Sequence, residues 1–168
     1  RNVEIIGPFS DYWKKKIKKE KWSTQEDHKL LDISPNSKDL IVSALYIHSI
    51  NDPISRFVQM REGLKKNGVL IAYAFGENSL CELRQAFSYA ETRVNSGVSP
   101  RINPMIDTAT LGALIRRSGF KHCVSDKLQF SFDYTNLKCL FKDLRGMGET
   151  NCMLGRSRKF LTKKLLNA

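Results

Sequence analysis

Side chains that could carry chemistry follow an apolar run in the first third of the chain. Ser43 lies in the run Leu40 to Leu45, and His48 and Asp52 lie in the polar segment behind it. A histidine in a loop can orient a substrate or exchange a proton near neutral pH, and a carboxylate before a helix can accept backbone hydrogen bonds. We interpret His48 as a candidate catalytic residue and Asp52 as a helix cap. A purely structural role for His48 stays open.

The elements around these residues predict one βαβ unit. The apolar run at 40–45 is typical of a buried strand, and the apolar spacing of Pro53 to Leu64 indicates a helix. An Asn67-Gly68 turn then leads into a second apolar run, Val69 to Phe75. Strands of this kind belong to an open parallel sheet, whose ligands lie at the carboxyl ends of the strands. This rule predicts a functional edge at residues 43–52 and 74–79.

The rest of the chain continues the alternation of strands and helices and predicts an α/β open sheet. We expect a single domain whose core, 38–155, lies between an amino-terminal part, 1–37, and a basic terminal segment, 156–168. Residues 22–37 are polar and match neither pattern. The further predicted elements are strands at Val3 to Ile6 and Phe120 to Phe132, and helices at Asp11 to Lys21, Ser79 to Asn95, Thr108 (as cap) to Ser118, Leu137 to Gly146 and Ser157 to Leu166.

The net charge of +11 is concentrated at the two ends of the 168-residue chain. Six lysines lie between Asp11 and Lys21, and five basic residues follow Gly155, whereas the part between them is nearly balanced. Two solvated helix faces explain this distribution, and a surface for an anionic partner is the alternative. No nucleic-acid-binding motif accompanies the charge, so we expect no specific nucleic-acid partner.

Cysteine and histidine spacing argues against a metal or disulfide framework. The four cysteines, Cys81, Cys123, Cys139 and Cys152, form no CxxC pair, and the three histidines have no metal-ligand spacing. Reduced thiols indicate a cytosolic type of compartment. No apolar run reaches the roughly 18 residues of a membrane span, and the first residues do not resemble a signal peptide.

Several sequence blocks resemble one branch of the class I S-adenosylmethionine (SAM) methyltransferases, which has a Rossmann-like fold. Asp39 to Ser43 with His48 and Asn51-Asp52 is similar to the fourth strand and following loop of the BioC-like biotin-synthesis methyltransferases. Three later blocks resemble more closely the mitochondrial complex I assembly factors linked to arginine hydroxylation. They are Phe75 to Arg84, Ser99 to Pro104 and Asp143 to Asn151.

The resemblance implies SAM as cofactor and assigns roles to individual residues. In the family, an acidic residue after the third strand contacts the adenine amino group, and Asp27 stands at that position beside Glu26. Ser43, Ala44 and Leu45 would line the methionine end of SAM. The alternative for Asp27 is a solvated acidic pair in a polar loop.

The resemblance also suggests residues on the substrate side. Arg145, Met147, Glu149 and Asn151 belong to a polar turn with two glycines, which we expect to border the substrate pocket or simply to end a helix. Asp52 and Arg84 are further substrate-binding candidates. Glu82, Arg84 and Glu91 lie on one predicted helix, and the alternative to a substrate-side role for them is a charged outer face.

The chain departs from the family at its cofactor end. The Gly-rich loop after a first strand is absent, and Gly146-Met147-Gly148 follows a predicted helix, so it does not match that fingerprint. Two explanations stay open: the chain is part of a longer protein, or it is a family member that has lost the loop. A missing first strand would leave an exposed sheet edge and so predicts self-association.

Two functions remain open at this point. The first is methyl transfer from SAM to an unidentified small-molecule, acyl-carrier or protein acceptor. The second is a non-catalytic or hydroxylase-like assembly factor acting on a respiratory complex I subunit. The resemblance implies a cytoplasmic location in a bacterium, or the mitochondrial matrix in a eukaryote.

Overall fold

The computed structural model describes residues 1–16, 22–25, 30–95, 97–157 and 161–166. Within it the chain divides into two compact units. The first, which we call the sheet unit, comprises Arg1–Gly76 and Ile106–Ser131. The second, the helical unit, comprises Glu77–Met105 and Phe132–Ala168.

Four parallel strands form the sheet in the order β2-β1-β3-β4. β1 (Val3–Ile6) is completely buried, as expected for a parallel strand that is covered on both faces. β3 (Lys38–Ala44) and β4 (Leu64–Tyr73) confirm the predicted βαβ unit. β2 (Trp22–Gln25) lies in the segment that the sequence left unassigned, because a polar strand of four residues has too little periodicity to be recognised. The α/β Rossmann-like class is therefore observed.

The Asn67-Gly68 pair does not separate a helix from a strand, as its sequence suggested. α2 (Pro53–Gly63) is followed directly by β4, and the pair lies inside that strand. Asn67 has a positive φ of 66°, and the pairing with β3 shifts register between Lys38 and Leu40. The turn residues thus form an irregularity of the bulge type instead of a loop.

The core of the sheet unit is built by apolar residues of the strands and of two helices. α2 contributes Phe57 and Met60, neither of which is exposed to solvent. Complete burial of a side chain of this size stabilises the fold by about 1.5–3 kcal/mol. α4 (Thr108–Arg117) packs Leu111, Leu114 and Ile115 against this core, as its apolar spacing predicted. Its cap differs from the prediction, because the Asp107 side chain accepts a hydrogen bond from the Thr110 amide.

The helical unit contains α3 (Cys81–Val94), α5 (Leu137–Gly146) and α6 (Lys163–Leu166). The Phe87 and Phe141 rings stack at 6.3 Å with an interplanar angle of 9°, which joins α3 to α5. α6 is much shorter than the predicted terminal helix, because residues 161–162 are not helical and 158–160 lie outside the described part. α1 (Ser10–Lys16) covers the first part of the predicted lysine-rich helix, and residues 17–21 are likewise outside the description.

The predicted strand at 120–132 is wrong. No strand is present between α4 and α5, and Leu128, Phe130 and Phe132 are about three-quarters exposed. A strand needs a neighbour for its backbone hydrogen bonds and a surface for its apolar face. In the described structure no strand pairs with this segment, and although its first residue, Phe120, packs against the core, the later apolar residues stay exposed, so alternation alone did not produce a strand.

None of the helices in the described ranges combines the length and hydrophobicity that crossing a bilayer requires.

Candidate functional site

The carboxyl ends of β1 and β3 lie side by side where the strand order reverses. β1 is bonded to β2 on one side and to β3 on the other, so the chain adds its second and third strands to opposite edges of β1. In open α/β sheets, ligands bind outside the carboxyl ends of the strands at such a reversal. We call Gly7 and residues 43–48 the switch-point edge.

Gly7 approaches β3 more closely than any other amino acid could. A Cβ atom at this position would lie 2.2 Å from the carbonyl oxygen of Ala44, and the φ of Gly7 is +145°. The Gly7 amide also donates a hydrogen bond to the Gln25 carbonyl at 3.1 Å. Only a residue without a side chain fits here, so backbone atoms form the surface of the switch-point edge at this position.

Ser43 and Leu45 show two further unusual features of this edge. Ser43 is completely buried, and within the described ranges its hydroxyl has no hydrogen-bond partner. Leu45 has a positive φ of 52°, a left-handed conformation that is costly for leucine, and its amide bonds the Tyr73 carbonyl at 3.0 Å. Orphaned polar groups and strained backbone are both enriched at functional sites.

His48 lies in a short 3-10 turn, Ile47–Ser49, directly behind β3. Its ring meets the Phe75 ring edge-to-face at 5.1 Å and 77°. Because Phe75 follows β4, this contact brings His48 to the carboxyl ends of both strands. Of the edge predicted at residues 43–52 and 74–79, the structure thus brings His48 and Phe75 together. The catalytic role of His48 stays a prediction.

Asp52 caps α2, as its position before Pro53 indicated. Its carboxylate accepts hydrogen bonds from the Ser55 hydroxyl at 2.5 Å and from the Ser55 amide at 3.0 Å. These bonds hold the pKa of Asp52 below its ordinary value. Both oxygens are engaged in the cap, and a substrate contact by Asp52 stays a prediction.

A buried carboxylate on β1 was not anticipated from the sequence. Glu4 is 3% exposed and is neutralised by Lys38, whose Nζ lies 2.5 Å from it. Ser23 and Gln25 of β2 also donate to Glu4. With three partners Glu4 is a structural group that joins β1 to its neighbours.

Two loops of the helical unit form a second candidate region. We call residues 99–104 the first loop and residues 147–153 the second loop. The Asn151 side-chain amide donates to the Pro100 carbonyl at 2.8 Å, and the Asn103 amide donates to Cys152 Sγ at 3.3 Å. The structure thus joins two of the blocks on which the sequence resemblance rests.

Glu91 of α3 anchors the first loop. It is 1% exposed and accepts hydrogen bonds from the Ser99 amide and hydroxyl at 2.5 and 2.6 Å. The Arg101 guanidinium donates twice, from Nε at 2.8 Å and from Nη2 at 2.6 Å. Burial acts to raise the pKa of Glu91, but these hydrogen bonds and the arginine charge outweigh it, so the pKa lies below its ordinary value.

The interpretation of Glu91 as an outer-face residue was therefore wrong. Glu91 follows Phe87 by four residues, which places both on the same face of α3. Phe87 is stacked on Phe141, so this face points inward. The spacing of four residues from Phe87 was the signal in the sequence that Glu91 is buried. That Arg101 is its partner could be seen only in the folded chain.

The other substrate-side candidates differ in their surroundings. Arg84 reaches the first loop, since its Nη2 lies 3.4 Å from the Asn103 carbonyl, and Asn151 reaches it as described. Arg145 and Met147 are exposed at the end of α5. Glu149 is half-buried in the turn, where its amide bonds the Leu144 carbonyl at 2.9 Å. Asp27 and Glu26 lie outside the described residues.

Comparison with known proteins finds relatives over most of the chain. Human "Arginine-hydroxylase NDUFAF5, mitochondrial" is 37% identical over 134 residues, which cover 80% of this chain and 39% of the relative. The malonyl-[acyl-carrier protein] O-methyltransferase of Xylella fastidiosa is 32% identical over 130 residues, covering 77% of this chain and 42% of the relative. The chain spans about 40% of the length of these two curated relatives.

A third relative has a more similar length. The Rickettsia prowazekii protein RP459, whose name assigns it provisionally to the methyltransferases, is 30% identical over 154 residues. The match covers 86% of this chain and 67% of that protein. No family model matches the chain.

Solved structures are more distant. A SAM-dependent methyltransferase from Thermotoga maritima has a TM-score of 0.48 and 20% identity, covering 73% of this chain and 64% of that one. Similarity at this level carries no argument about activity. The parallel sheet with its reversal of strand order and the named relatives together identify the chain as a member of the class I SAM-dependent methyltransferase superfamily.

Proposed function

We propose that this chain is a SAM-dependent methyltransferase-type protein that binds its cofactor at the switch-point edge. The observation that carries the proposal is the Ser43 hydroxyl, which is buried and has no hydrogen-bond partner within the described ranges. It lies beside the point where Gly7 of the β1 end packs closely against Ala44 of β3. A buried hydroxyl that lacks a protein partner is costly unless something else satisfies it. A polar cofactor at the strand ends would do so.

The residues present fit one end of SAM. Ser43, Ala44 and Leu45 would hold the methionine end, beside the point where Gly7 packs against the Ala44 backbone. No described strand is followed by a Gly-rich loop, so the amide cradle of the family is not supplied by these residues. Asp27 remains the proposed partner of the adenine amino group.

SAM supplies a methyl group on a positively charged sulfur, which an aligned nucleophile can accept. The protein's contribution is mainly to hold the acceptor in line, since proximity and orientation supply much of the barrier reduction. In this proposal His48 orients the acceptor at the carboxyl ends of β3 and β4. Arg84, Asn151 and the other turn residues of the helical unit stay proposed substrate-binding residues.

The acceptor is proposed to be an acyl-carrier-bound acid or a protein side chain. The first class is suggested by the relative named malonyl-[acyl-carrier protein] O-methyltransferase. The near-neutral charge between residues 22 and 155 favours neither nucleic acid nor another polyanion as a specific partner.

A second candidate function is that of an arginine-directed assembly factor. The 37% identity to NDUFAF5, a relative named as an arginine hydroxylase, supports it. In this form the partner would be an arginine-containing subunit of respiratory complex I, and the protein would work in the mitochondrial matrix if it is eukaryotic. A bacterial protein of this kind would be cytoplasmic. In a variant of this second candidate, the protein has no catalytic activity and acts as a scaffold.

Calorimetric titration of the folded chain with SAM and with S-adenosylhomocysteine tests the cofactor proposal. We expect micromolar binding at one site. Absence of binding by a folded chain contradicts the methyltransferase proposal for this chain and favours the scaffold. Methyl-labelled SAM offered with malonyl-acyl-carrier protein or with an arginine-containing peptide then distinguishes the two acceptor classes.

A further inference from the structure

The edge of the sheet at β4 carries a row of exposed apolar side chains. Val69, Ile71 and Tyr73 are 54%, 39% and 56% exposed. β4 is the last strand of the described sheet, and the isolated bridge from Gly76 to Ile106 lies beyond its end. A sheet edge of ten residues with unpaired backbone groups and apolar side chains is a template on which a further strand can pair.

The chain between α4 and α5 shows the same pattern and is equally uncovered. We call residues 124–132 the alternating segment. Leu128, Phe130 and Phe132 are 74%, 73% and 75% exposed, and the residues between them are polar. In the described structure no strand pairs with this segment. Large apolar side chains exposed in a row mark an interaction surface, and the described part of the chain does not cover this one.

The alternating segment and the β4 edge match each other in spacing. Each presents three apolar side chains at every second residue. When Phe130 is placed opposite Ile71, the other two apolar residues of each strand also face each other, whether the strands run parallel or antiparallel. Pairs of aromatic and β-branched side chains across neighbouring strands are favourable. A shift by one residue would turn the apolar side chains of the segment to the other face, so the pattern favours this register.

The charges near the two surfaces are also complementary. Lys66 is exposed near the start of β4, and the exposed Asp126 and Asp133 flank the apolar part of the segment. With Phe130 opposite Ile71, Asp126 lies within two positions of Lys66 in a parallel pairing, and Asp133 does so in an antiparallel one. Opposite charges at neighbouring positions stabilise strand pairing, whereas like charges oppose it.

We propose that a second copy of this chain covers both surfaces, with the alternating segment of each copy adding as a strand to β4 of the other. The folded chain leaves its own two surfaces unpaired, and a second copy presents the complement of each. The exchange is reciprocal and therefore closes into a dimer, in which every pair occurs twice. This inference goes beyond the proposed function and does not depend on it.

Sedimentation velocity over a range of protein concentrations tests the dimer. Phe130→Ser removes the central aromatic side chain from an exposed position, and Leu154→Ser, at a residue that is 99% exposed in the helical unit, is the matched control. We expect Phe130→Ser to weaken the dimer about tenfold, because the lost pair occurs twice, and Leu154→Ser to leave it unchanged. A wild type that stays monomeric at every concentration, or equal weakening by the two variants, would overturn the proposal.

Disulfide cross-linking locates the contact. Opposite Cα atoms of neighbouring strands lie about 4.5–5.5 Å apart, which a disulfide can span. Ile71→Cys protein is mixed with Phe130→Cys protein and oxidised, and the linked peptides are identified by mass spectrometry, which separates them from links at the four native cysteines. We expect a link between positions 71 and 130, and none between 71 and 154 when Leu154→Cys replaces Phe130→Cys. Links between two copies of position 71 in place of the 71–130 link would show that the β4 edges pair with each other, which contradicts the proposal.

Charge reversal tests the same placement without removing any apolar side chain. At low salt, Lys66→Glu should weaken the dimer about threefold, whereas Lys142→Glu, at an exposed position of α5, should not change it. Adding Asp126→Lys and Asp133→Lys to Lys66→Glu restores opposite charges in every pair and should recover the wild-type affinity. Equal affinity of Lys66→Glu and Lys142→Glu, or no recovery in the combined variant, would refute the placement of the segment on β4.

Discussion

The backbone of Gly7 lies against that of Ala44 so closely that a Cβ atom on Gly7 would be 2.2 Å from the Ala44 carbonyl oxygen. This contact sets the spacing between the ends of β1 and β3, where the strand order reverses. The approach determines both the stability of the sheet and the shape of the edge that we propose to bind the cofactor.

Replacing Gly7 by alanine should destabilise the protein strongly. The new Cβ atom would collide with backbone, which cannot turn away as a side chain can, and the φ of +145° is unfavourable for alanine. We expect a loss of about 2–4 kcal/mol in the free energy of unfolding, measured by urea denaturation. Gly146→Ala is the control, because no atom lies within 4 Å of its added Cβ atom. Equal stability of the two variants would show that the approach is not tight.

Removing the Ser43 hydroxyl should separate stability from cofactor affinity. The hydroxyl is buried without a hydrogen-bond partner in the described structure, so Ser43→Ala should leave the free energy of unfolding unchanged or raise it by up to about 1 kcal/mol. The affinity for SAM, measured by calorimetry, should fall roughly 2- to 10-fold.

A second buried serine provides the control for Ser43. Ser118 is 2% exposed, and its hydroxyl bonds the Leu114 carbonyl at 2.8 Å. Ser118→Ala should therefore lower the free energy of unfolding by about 1 kcal/mol and leave SAM affinity unchanged. A Ser43→Ala protein that binds SAM as tightly as the wild type would remove Ser43 from the proposed site.

Glu91 should make the stability of the protein depend on pH. Its pKa is lowered in the folded state, so its ionised form stabilises the fold above the ordinary pKa of a glutamate, and this contribution is lost as the pH falls through the lower folded value. Glu91→Gln should lose the contribution at neutral pH and show a weaker acid dependence of unfolding. Glu91→Ala, which leaves the half-buried Arg101 without this partner, should cost up to about 3 kcal/mol. A parallel pH profile for wild type and Glu91→Gln would argue against the ion pair.

Asp52 should contribute to stability through its cap and in a pH-dependent way. Its pKa is lowered by the bonds from Ser55, so the carboxylate form stabilises α2 at neutral pH and loses this effect on acidification. Asp52→Ala should lower the thermal midpoint, whereas Asp52→Asn, which retains a capping oxygen, should lower it less. Thermal scans of both variants across the acidic range check the order, and a reversed order would contradict the cap.

The exposed segment between α4 and α5 should promote self-association. Leu128 and Phe130 are 74% and 73% exposed, and within the described strands the sheet has free edges at β2 and β4. Leu128→Ser with Phe130→Ser should reduce association in sedimentation experiments at high protein concentration, with little change in the free energy of unfolding. Association that is independent of these residues would direct attention to the sheet edges instead.

Much of the fold followed from local patterns in the sequence. Runs of apolar residues identified β1, β3 and the end of β4. β1 is buried on both faces, whereas Val69, Ile71 and Tyr73 of β4 are exposed. Asp52 before Pro53 identified the start of α2, since capping and proline placement are local properties. The carboxyl ends of parallel strands lie on one side of a sheet, and this rule led us to predict a functional edge at residues 43–52 and 74–79, whose function stays a prediction.

Other features depended on partners that are distant in the chain. Residues 120–132 alternate like a strand, but in the described structure no neighbouring strand pairs with them. Glu91 is a charged helix residue of a type that is usually exposed, but in the folded chain it is buried and accepts hydrogen bonds from Ser99 and Arg101. The sequence alone determined which segments favour strand or helix. The tertiary structure decided which strands pair, that Gly7 must approach Ala44, and which charges are buried, because burial and pairing depend on residues brought together only by folding.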